Sequence, residues 1–219
     1  MANILLFLLS GLQLALTNQP QNKGLPCINL LVYNYAGVPA PLMKAARETA
    51  TEVILKTKVD LRWVDRTEPY RAEGESSKPR QQAPAYLMFI VKTAHGLLQQ
   101  KTRTLGFAST NGKVPQAFIF YDRINQGNEV PRLPDHSLLQ YVLGHAIAHE
   151  LAHLVLGPGH SRAGLMRATW DLSDVQQMFH GGLPLTAGQA ERFRSKIASQ
   201  EDVWCNTAQF YGPERTPAY

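Results

Sequence analysis

The sequence predicts an α/β domain in which a mixed, mostly parallel sheet packs on two helices and a small C-terminal subdomain follows. Three patterns predict it. Two β-rich runs flank a helical run near the N terminus, a continuous apolar run comes next, and a hairpin pattern then precedes a long apolar helix. Strand, helix and strand in this order usually form a right-handed parallel unit, whereas a hairpin adds an antiparallel edge.

The parallel unit is predicted over residues 27–64. Residues 27–35 (CINLLVYNY) form a β-rich apolar run, and residues 59–64 (VDLRWV) alternate between apolar and polar side chains. Between them, Pro39 and Pro41 open a helical pattern, because proline suits the first turn of a helix. The apolar residues of this helix fall on one face: Leu42, Ala45, Ala46, Val53 and Ile54.

The later strands are predicted from a buried run and a turn. Residues 86–91 (YLMFIV) are continuously apolar, as in a central strand that is covered on both faces. An Asn-Gly pair at 111–112 lies between the β-rich residues 104–109 and 115–121, which predicts an antiparallel hairpin. Residues 66–84 are polar and without a period, so we expect an exposed loop or, alternatively, an insertion at the rim of a cleft.

A long buried helix is predicted to begin near residue 137. Residues 137–140 (SLLQ) have the form of a capping box, and apolar residues cover most of the helix surface that follows. Gly157 is placed to end the helix in a left-handed conformation, and Pro158 forbids its continuation. Residues 186–189 (TAGQ) form a second capping box, before a helix with Ala190, Phe193 and Ile197 on one face.

Candidate metal-binding residues lie in the long helix. The run from His149 through Glu150 to His153 is an HExxH pattern. In a helix, the two histidines are one turn apart on the same face, so both imidazoles can bind one ion, and Glu150 can reach a water bound to that ion. Without such a role, these polar groups would be costly in a buried helix. The alternative interpretation of Glu150 is a salt-bridged helix carboxylate.

A third ligand is predicted just beyond the helix. His160 follows the stop at Gly157, where the chain can fold back under the ion. Three nitrogens and one open position are the arrangement of a catalytic zinc site. Met166 comes soon afterwards. His145, one turn before His149, is interpreted as a buried, hydrogen-bonded histidine or a cleft-wall residue, because a fourth protein ligand would close the site.

These residues resemble the metzincin signature, HExxHxxGxxH followed by a Met-turn. The stretch HELAHLVLGPGHS followed by GLM carries the resemblance, with one residue more than the signature has between His153 and Gly157. The resemblance implies a zincin fold and one catalytic zinc ion, with His149, His153 and His160 as ligands and Met166 as the Met-turn methionine. It also implies that the strand over residues 104–109 lines the cleft and pairs with an extended peptide.

The extra residue leaves other third ligands open. A gluzincin-like arrangement would use Glu191 on the later helix, and an aspzincin-like one would use Asp171 or Asp174. Asp171 is also placed to cap a helix or to hold a ligand imidazole in orientation. Trp170 and Asp171 are both placed to border the pocket below the metal.

The N terminus and the cysteines bear on where the protein works. Residues 1–17 (MANILLFLLSGLQLALT) are too short and interrupted for a membrane span, so we predict a signal peptide; the alternative is a strand or helix packed on the core. A single catalytic domain over residues 18–219 follows, with an N-terminal subdomain to about residue 157 and a C-terminal subdomain over residues 158–219. Cys27 and Cys205 either form a disulfide, as in an exported protein, or stay as buried thiols.

The distribution of charge bears on whether the protein binds nucleic acid. The net charge is +5, but the basic residues are scattered among acidic ones, so we expect no nucleic-acid binding. We predict a secreted or periplasmic zinc metalloendopeptidase that cuts peptide or protein substrates with a zinc-activated water and Glu150 as general base. We expect no stable membrane insertion, and no pattern indicates an oligomeric state. The rival hypotheses are a non-catalytic, zinc-stabilised binding module and an intracellular protease that acts on nucleic-acid-bound proteins.

Overall fold

The computed structural model describes residues 24–65, 85–94, 104–112, 114–125 and 138–200. The predicted leader, the predicted loop over residues 66–84 and Cys205 lie outside these ranges. Within them the chain forms five strands, β1 (Cys27–Asn34), β2 (Asp60–Asp65), β3 (Ala85–Val91), β4 (Gly106–Ser109) and β5 (Gln116–Phe120). It also forms five helices, α1 (Ala40–Leu55), α2 (Tyr121–Asn125), α3 (Leu139–Leu156), α4 (Leu172–His180) and α5 (Ala187–Ala198). In this part of the chain, no helix combines the length and apolarity needed to cross a membrane.

The strands form one sheet in the order β2-β1-β3-β5-β4. β1 lies parallel to β2 and to β3, and β3 lies parallel to β5. β4 pairs antiparallel with β5, with Phe107 opposite Phe118, and lies at an edge of the sheet. The predicted mixed, mostly parallel sheet is therefore confirmed, together with the β1–α1–β2 parallel unit, the central β3 and the β4–β5 hairpin.

The two long helices α1 and α3 share one hydrophobic core with the sheet. Ile28 and Leu30, which alternate along β1, are fully buried in this core. Gly144 lets the two helices approach closely, because a Cβ there would lie 2.6 Å from Cβ of Thr49 and 2.7 Å from the carbonyl oxygen of Ala46. This close packing fixes α3, the helix that carries the HExxH pattern, against the rest of the domain.

The opposite face of the sheet carries a row of stacked aromatic rings. The ring of Phe89 lies 5.2 Å from that of Tyr33 and 5.1 Å from that of Phe118, centroid to centroid. Because side chains alternate along a strand, Cys27 points to the same face of β1 as Tyr33. Cys27 is fully buried and disulfide-bonded.

The structure differs from the prediction at three helices. α2 is absent from the prediction, because five residues are too short to show a helical period. α4 is anticipated only through the capping role of Asp171, although Leu172, Val175 and Phe179 have helical spacing. Tyr121, predicted to end the last strand, begins α2 instead. α3 begins at Leu139, and Leu138 at its N-cap position makes no side-chain capping bond. The expected capping box depends on Ser137, which lies outside the described residues.

The capping box before α5 is confirmed. The N–H of Gln189 donates to Oγ1 of Thr186 at 3.4 Å, and the N–H of Thr186 donates to Oε1 of Gln189 at 3.1 Å. Phe193 and Ile197 are fully buried, as the apolar face of this helix predicts. The box thus defines where α5 begins, close to the segment that leads away from the histidines.

Candidate metal centre

α3 carries the HExxH pattern out of the core to the edge of a cleft. His149 is buried and His153 is half-buried, one turn further along the helix. Their Nε2 atoms lie 3.0 Å apart. The two rings therefore point to a common position, as the helical spacing predicts.

A glycine turn brings the third histidine back to the first two. Gly157 has φ +93°, in the left-handed region that favours glycine, and its N–H donates to the carbonyl oxygen of His153 at 2.9 Å. Three residues later, Nε2 of His160 lies 3.3 Å from Nε2 of His153. Ligand atoms of the three histidines, His149 included, all lie within 4.8 Å of one another and could hold a metal ion. The turn accommodates the residue by which this stretch exceeds the metzincin signature.

Backbone carbonyls orient two of the rings. Nδ1 of His149 donates to the carbonyl oxygen of Leu165 at 2.8 Å, and Nδ1 of His153 donates to that of Gly157 at 3.2 Å. Because a carbonyl only accepts, each Nδ1 carries the proton, and each Nε2 has a bare lone pair. Burial lowers the pKa of His149 to about 3 and also lowers the pKa of His153, so both rings are neutral at physiological pH. Two lone pairs 3.0 Å apart repel each other unless a cation or a proton lies between them.

Glu150 lies in the same cleft, largely shielded from solvent. The residue is 6% exposed, and this burial raises the pKa of its carboxyl group to about 8. Its Oε2 atom is buried and has no hydrogen-bond partner among the described residues. A nearby cation would lower the pKa again, because an opposite charge favours the carboxylate.

Met166 lies in a turn that is bonded to the first histidine. The N–H of Ser161 donates to the carbonyl oxygen of Met166 at 2.7 Å, which closes the turn. The preceding carbonyl, that of Leu165, accepts from Nδ1 of His149 and, at 3.2 Å, from Nε1 of Trp170. The side chain of Met166 is buried in the main core. The turn therefore helps to hold the His149 ring in position through the hydrogen bond to the carbonyl oxygen of Leu165.

A cavity of about 480 Å³ adjoins the three histidines. Residues 104–111, which include the edge strand β4, form one part of its lining, and residues 158–160 and 167–170 form another. Glu150 also lines the cavity. The Trp170 ring meets the ring of His149 edge to face at 5.6 Å, so Trp170 borders the pocket as predicted.

The other candidate third ligands lie elsewhere among the described residues. Glu191 is exposed and pairs with Arg194 at 2.8 Å. Asp171 and Asp174 both pair with the guanidinium of Arg167. None of the three carboxylates belongs to the histidine group.

Asp171 caps a helix and does not orient a ligand imidazole, the two roles that its position in the sequence suggests. Its Oδ1 accepts from the backbone N–H groups of Ser173 and Asp174, so it caps α4. The imidazole partners in this site are backbone carbonyls, not this carboxylate. Hydrogen bonds from Ser173 and then from Arg167 hold the pKa of Asp171 well below its usual range.

Sequence reasoning missed the contact of one cavity residue, Gly106, and the position of another, Arg167. Gly106 on β4 lies directly against Glu150, and Arg167 is held in place by two aspartates. The contact between Gly106 and Glu150 joins segments that are distant in the chain, so no local pattern signals it. Arg167 looks like an ordinary surface arginine in the sequence, and only the fold places it at the cleft.

The fold is similar to that of an archaemetzincin. An archaemetzincin from Methanopyrus kandleri superposes with a TM-score of 0.50 and 13% identity, over 82% of this chain and 98% of that chain. Metalloproteinase-II from Bacteroides fragilis gives a TM-score of 0.48 and 14% identity, over 81% of this chain and 55% of that chain. Neither a protein-family model nor a curated protein sequence matches the chain. The first likeness shows that the chain has an archaemetzincin-like zincin fold.

Proposed function

We propose that the protein is a zinc metalloendopeptidase. The observation that carries this proposal is the meeting of three imidazoles, from His149, His153 and His160, in one cleft with the carboxyl group of Glu150. The archaemetzincin-like zincin fold supports it. The resemblance of the sequence to the metzincin signature supports it independently of the fold.

The residues fit zinc in number, type and spacing. Zn²⁺ binds imidazole nitrogens tetrahedrally at about 2.0–2.1 Å, which places neighbouring ligand atoms about 3.3 Å apart. Nε2 of His153 lies 3.0 Å from that of His149 and 3.3 Å from that of His160. Neutral rings whose Nδ1 atoms are fixed by carbonyls are also the form that binds metals. Three protein ligands leave one position for catalysis.

Glu150 would move the proton in peptide hydrolysis. When bound, zinc would supply a Lewis acid that polarises the scissile carbonyl and favours deprotonation of water. The carboxylate of Glu150 would accept the proton of the attacking water and later donate it to the leaving amine. Its place in the cavity lining, directly after His149 in the chain, suits this role. Met166 would act through packing, by supporting the turn under His149.

The edge strand would bind the substrate main chain. β4 forms one wall of the cavity and pairs only with β5 among the described strands, which leaves its outer edge for another strand. An extended peptide can add to such an edge through main-chain hydrogen bonds, while side chains give specificity. Phe107, 43% exposed in the middle of this wall, is placed to contact the substrate. Binding along an open wall favours an endopeptidase.

We also propose that the protein is exported after removal of residues 1–17. The disulfide at Cys27 supports this, because such bonds persist in oxidising compartments and are rare in the cytosol. N-terminal sequencing of the mature protein from its source should give a start near Asn18. A mature chain that still begins at Met1 would contradict the export proposal.

Hydrolysis of an unfolded protein substrate tests the proposed activity. The wild type should cleave it, a chelator should abolish cleavage, and added zinc should restore it. Glu150→Gln should keep stoichiometric zinc and lose about 10²–10⁴-fold in rate, because the general base is removed. Zinc binding by the wild type without any cleavage would indicate the non-catalytic binding module instead. Full activity in Glu150→Gln would show that another group moves the proton.

A further inference from the structure

We propose that Gly106 is a positioning residue for Glu150, an inference that rests on the proposed peptidase activity. The absence of a Cβ at this position of β4 creates the slot in which the carboxyl group lies. The edge strand would then serve two purposes, since it borders the substrate and also fixes the general base.

The geometry of the contact is specific to Glu150. A Cβ added to Gly106 would lie 2.6 Å from Oε1 and 2.7 Å from Cγ of Glu150. Real Cβ atoms essentially never approach other atoms so closely, so one of the two residues would have to move. Gly106 is itself buried, and its backbone is held by the pairing of β4 with β5 through the register Gly106 to Ile119.

Movement of Glu150 would take its carboxyl group out of the position that it holds against Gly106. The residue follows His149 directly on α3, so its Cα is fixed by the same helix turn that fixes the first imidazole. The side chain can therefore yield by changing its rotamer. A displacement of about 1 Å in a catalytic group costs about 10²-fold in rate, whereas the metal ligands are untouched.

A purely structural role for Gly106 predicts a different result. The added Cβ would also lie 2.7 Å from the carbonyl oxygen of Phe118 on the neighbouring strand. If that contact alone mattered, an alanine would weaken the sheet by the same amount whatever residue stands at position 150. The two roles are therefore separated by measuring whether the effects of positions 106 and 150 depend on each other.

The chain offers a matched control at Gly144. An alanine there would be equally crowded, 2.6 Å from Cβ of Thr49, but against α1 and away from the cavity. Gly112 provides a benign control, because its added Cβ would meet nothing nearer than 3.5 Å. Gly106→Ala, Gly144→Ala and Gly112→Ala are thus the same chemical change in three different surroundings.

The experiment is a double-mutant cycle between Gly106→Ala and Glu150→Ala. The Tm of thermal unfolding and the zinc content are measured for each protein. Gly106→Ala should lower the Tm by about 5 °C in the wild-type background, as overpacking does in a buried site. In the Glu150→Ala background the loss should fall to half or less, because the crowded side chain is gone. Gly144→Ala should cost the same in both backgrounds, and zinc content should stay stoichiometric in every variant.

The kcat and KM of the same variants provide a second, independent measurement. Gly106→Ala should lower kcat about tenfold to a hundredfold with KM within about twofold, whereas Gly112→Ala should keep wild-type kcat per folded molecule. If Gly106→Ala fails to fold, the Gly106→Ala/Glu150→Ala protein should still fold. Its failure to fold, or equal Tm losses in both backgrounds, would overturn the inference. A wild type without any turnover would instead overturn the proposed function, since the stability cycle does not depend on activity.

Discussion

His145 illustrates how one residue on the helix of the metal site is used for the fold. It is fully buried, its Nδ1 donates to the carbonyl oxygen of Tyr141 at 2.7 Å, and its Nε2 accepts the N–H of Leu183 at 2.9 Å. The neutral ring thereby joins α3 to the segment between α4 and α5. Lys56 at the end of α1 donates to the carbonyl oxygen of Gly181 in the same segment. His145 is thus the buried, hydrogen-bonded histidine that the sequence predicts.

The neutral state of His145 predicts a pH-dependent stability. Burial, and to a smaller extent the charge of Lys56, lowers its pKa from 6.5 to about 4. The unfolded state therefore binds a proton first as the pH falls, so the stabilisation is complete above pH 6.5 and is lost towards pH 4. The metal-free wild type should lose about 2 kcal/mol more than His145→Gln between pH 7 and pH 5 in urea unfolding. Equal losses in the two proteins would contradict this role.

Single substitutions also test whether His160 is the third zinc ligand. His160→Ala should weaken zinc binding by more than about 100-fold. Removal of a group that only hydrogen-bonds to a metal ligand already lowers the metal affinity by about 10–100-fold. Glu191→Ala is the matched control, since Glu191 is exposed and pairs with Arg194 instead. Competition with a chelator of known affinity measures both constants. Full zinc affinity in His160→Ala, or its loss in Glu191→Ala, would show that the third ligand lies elsewhere.

At the scale of elements, the sequence predicts the features that depend on neighbouring residues, such as helix ends, strands and long helices. Gly157 ends α3 as expected, because only its φ of +93° lets the chain turn back, and the period-2 and period-3.6 patterns locate the strands and long helices. An element as short as α2, with five residues, carries no clear period, so the pattern misses it. The contact of Gly106 with Glu150 and the pairing of Arg167 with two aspartates are tertiary, and residue spacing does not encode them.

The capping box of α5 gives a prediction for one element. Thr186→Ala removes the hydroxyl that accepts the N–H of Gln189, and it should destabilise the protein by about 1 kcal/mol. Thr186→Ser keeps the hydroxyl and should remain within a few tenths of a kcal/mol of the wild type, by the same reasoning about caps. Denaturant unfolding at neutral pH compares the two variants. If both lose the same stability, the methyl group and not the cap is what matters.

At the scale of the whole molecule, the disulfide at Cys27 constrains the chain at its first strand. Cys27 is buried on the aromatic face of the sheet, and Cys205 is the only other cysteine of the sequence. Unfolded but unreduced protein should therefore show no free thiols in a colorimetric thiol assay, and reduction should lower the stability by about 4–5 kcal/mol. Two free thiols in the unreduced protein would contradict the bond.

The proposed activity depends on whether the three histidines bind one zinc ion together. Crystals of the purified protein, measured on both sides of the zinc absorption edge, locate that ion without any assumption about activity. We expect one anomalous peak per chain, about 2.0–2.1 Å from Nε2 of His149, His153 and His160. A zinc-loaded crystal with no peak among these three rings, or with the peak at Glu191 or at Asp171 and Asp174, would contradict the proposed metal centre.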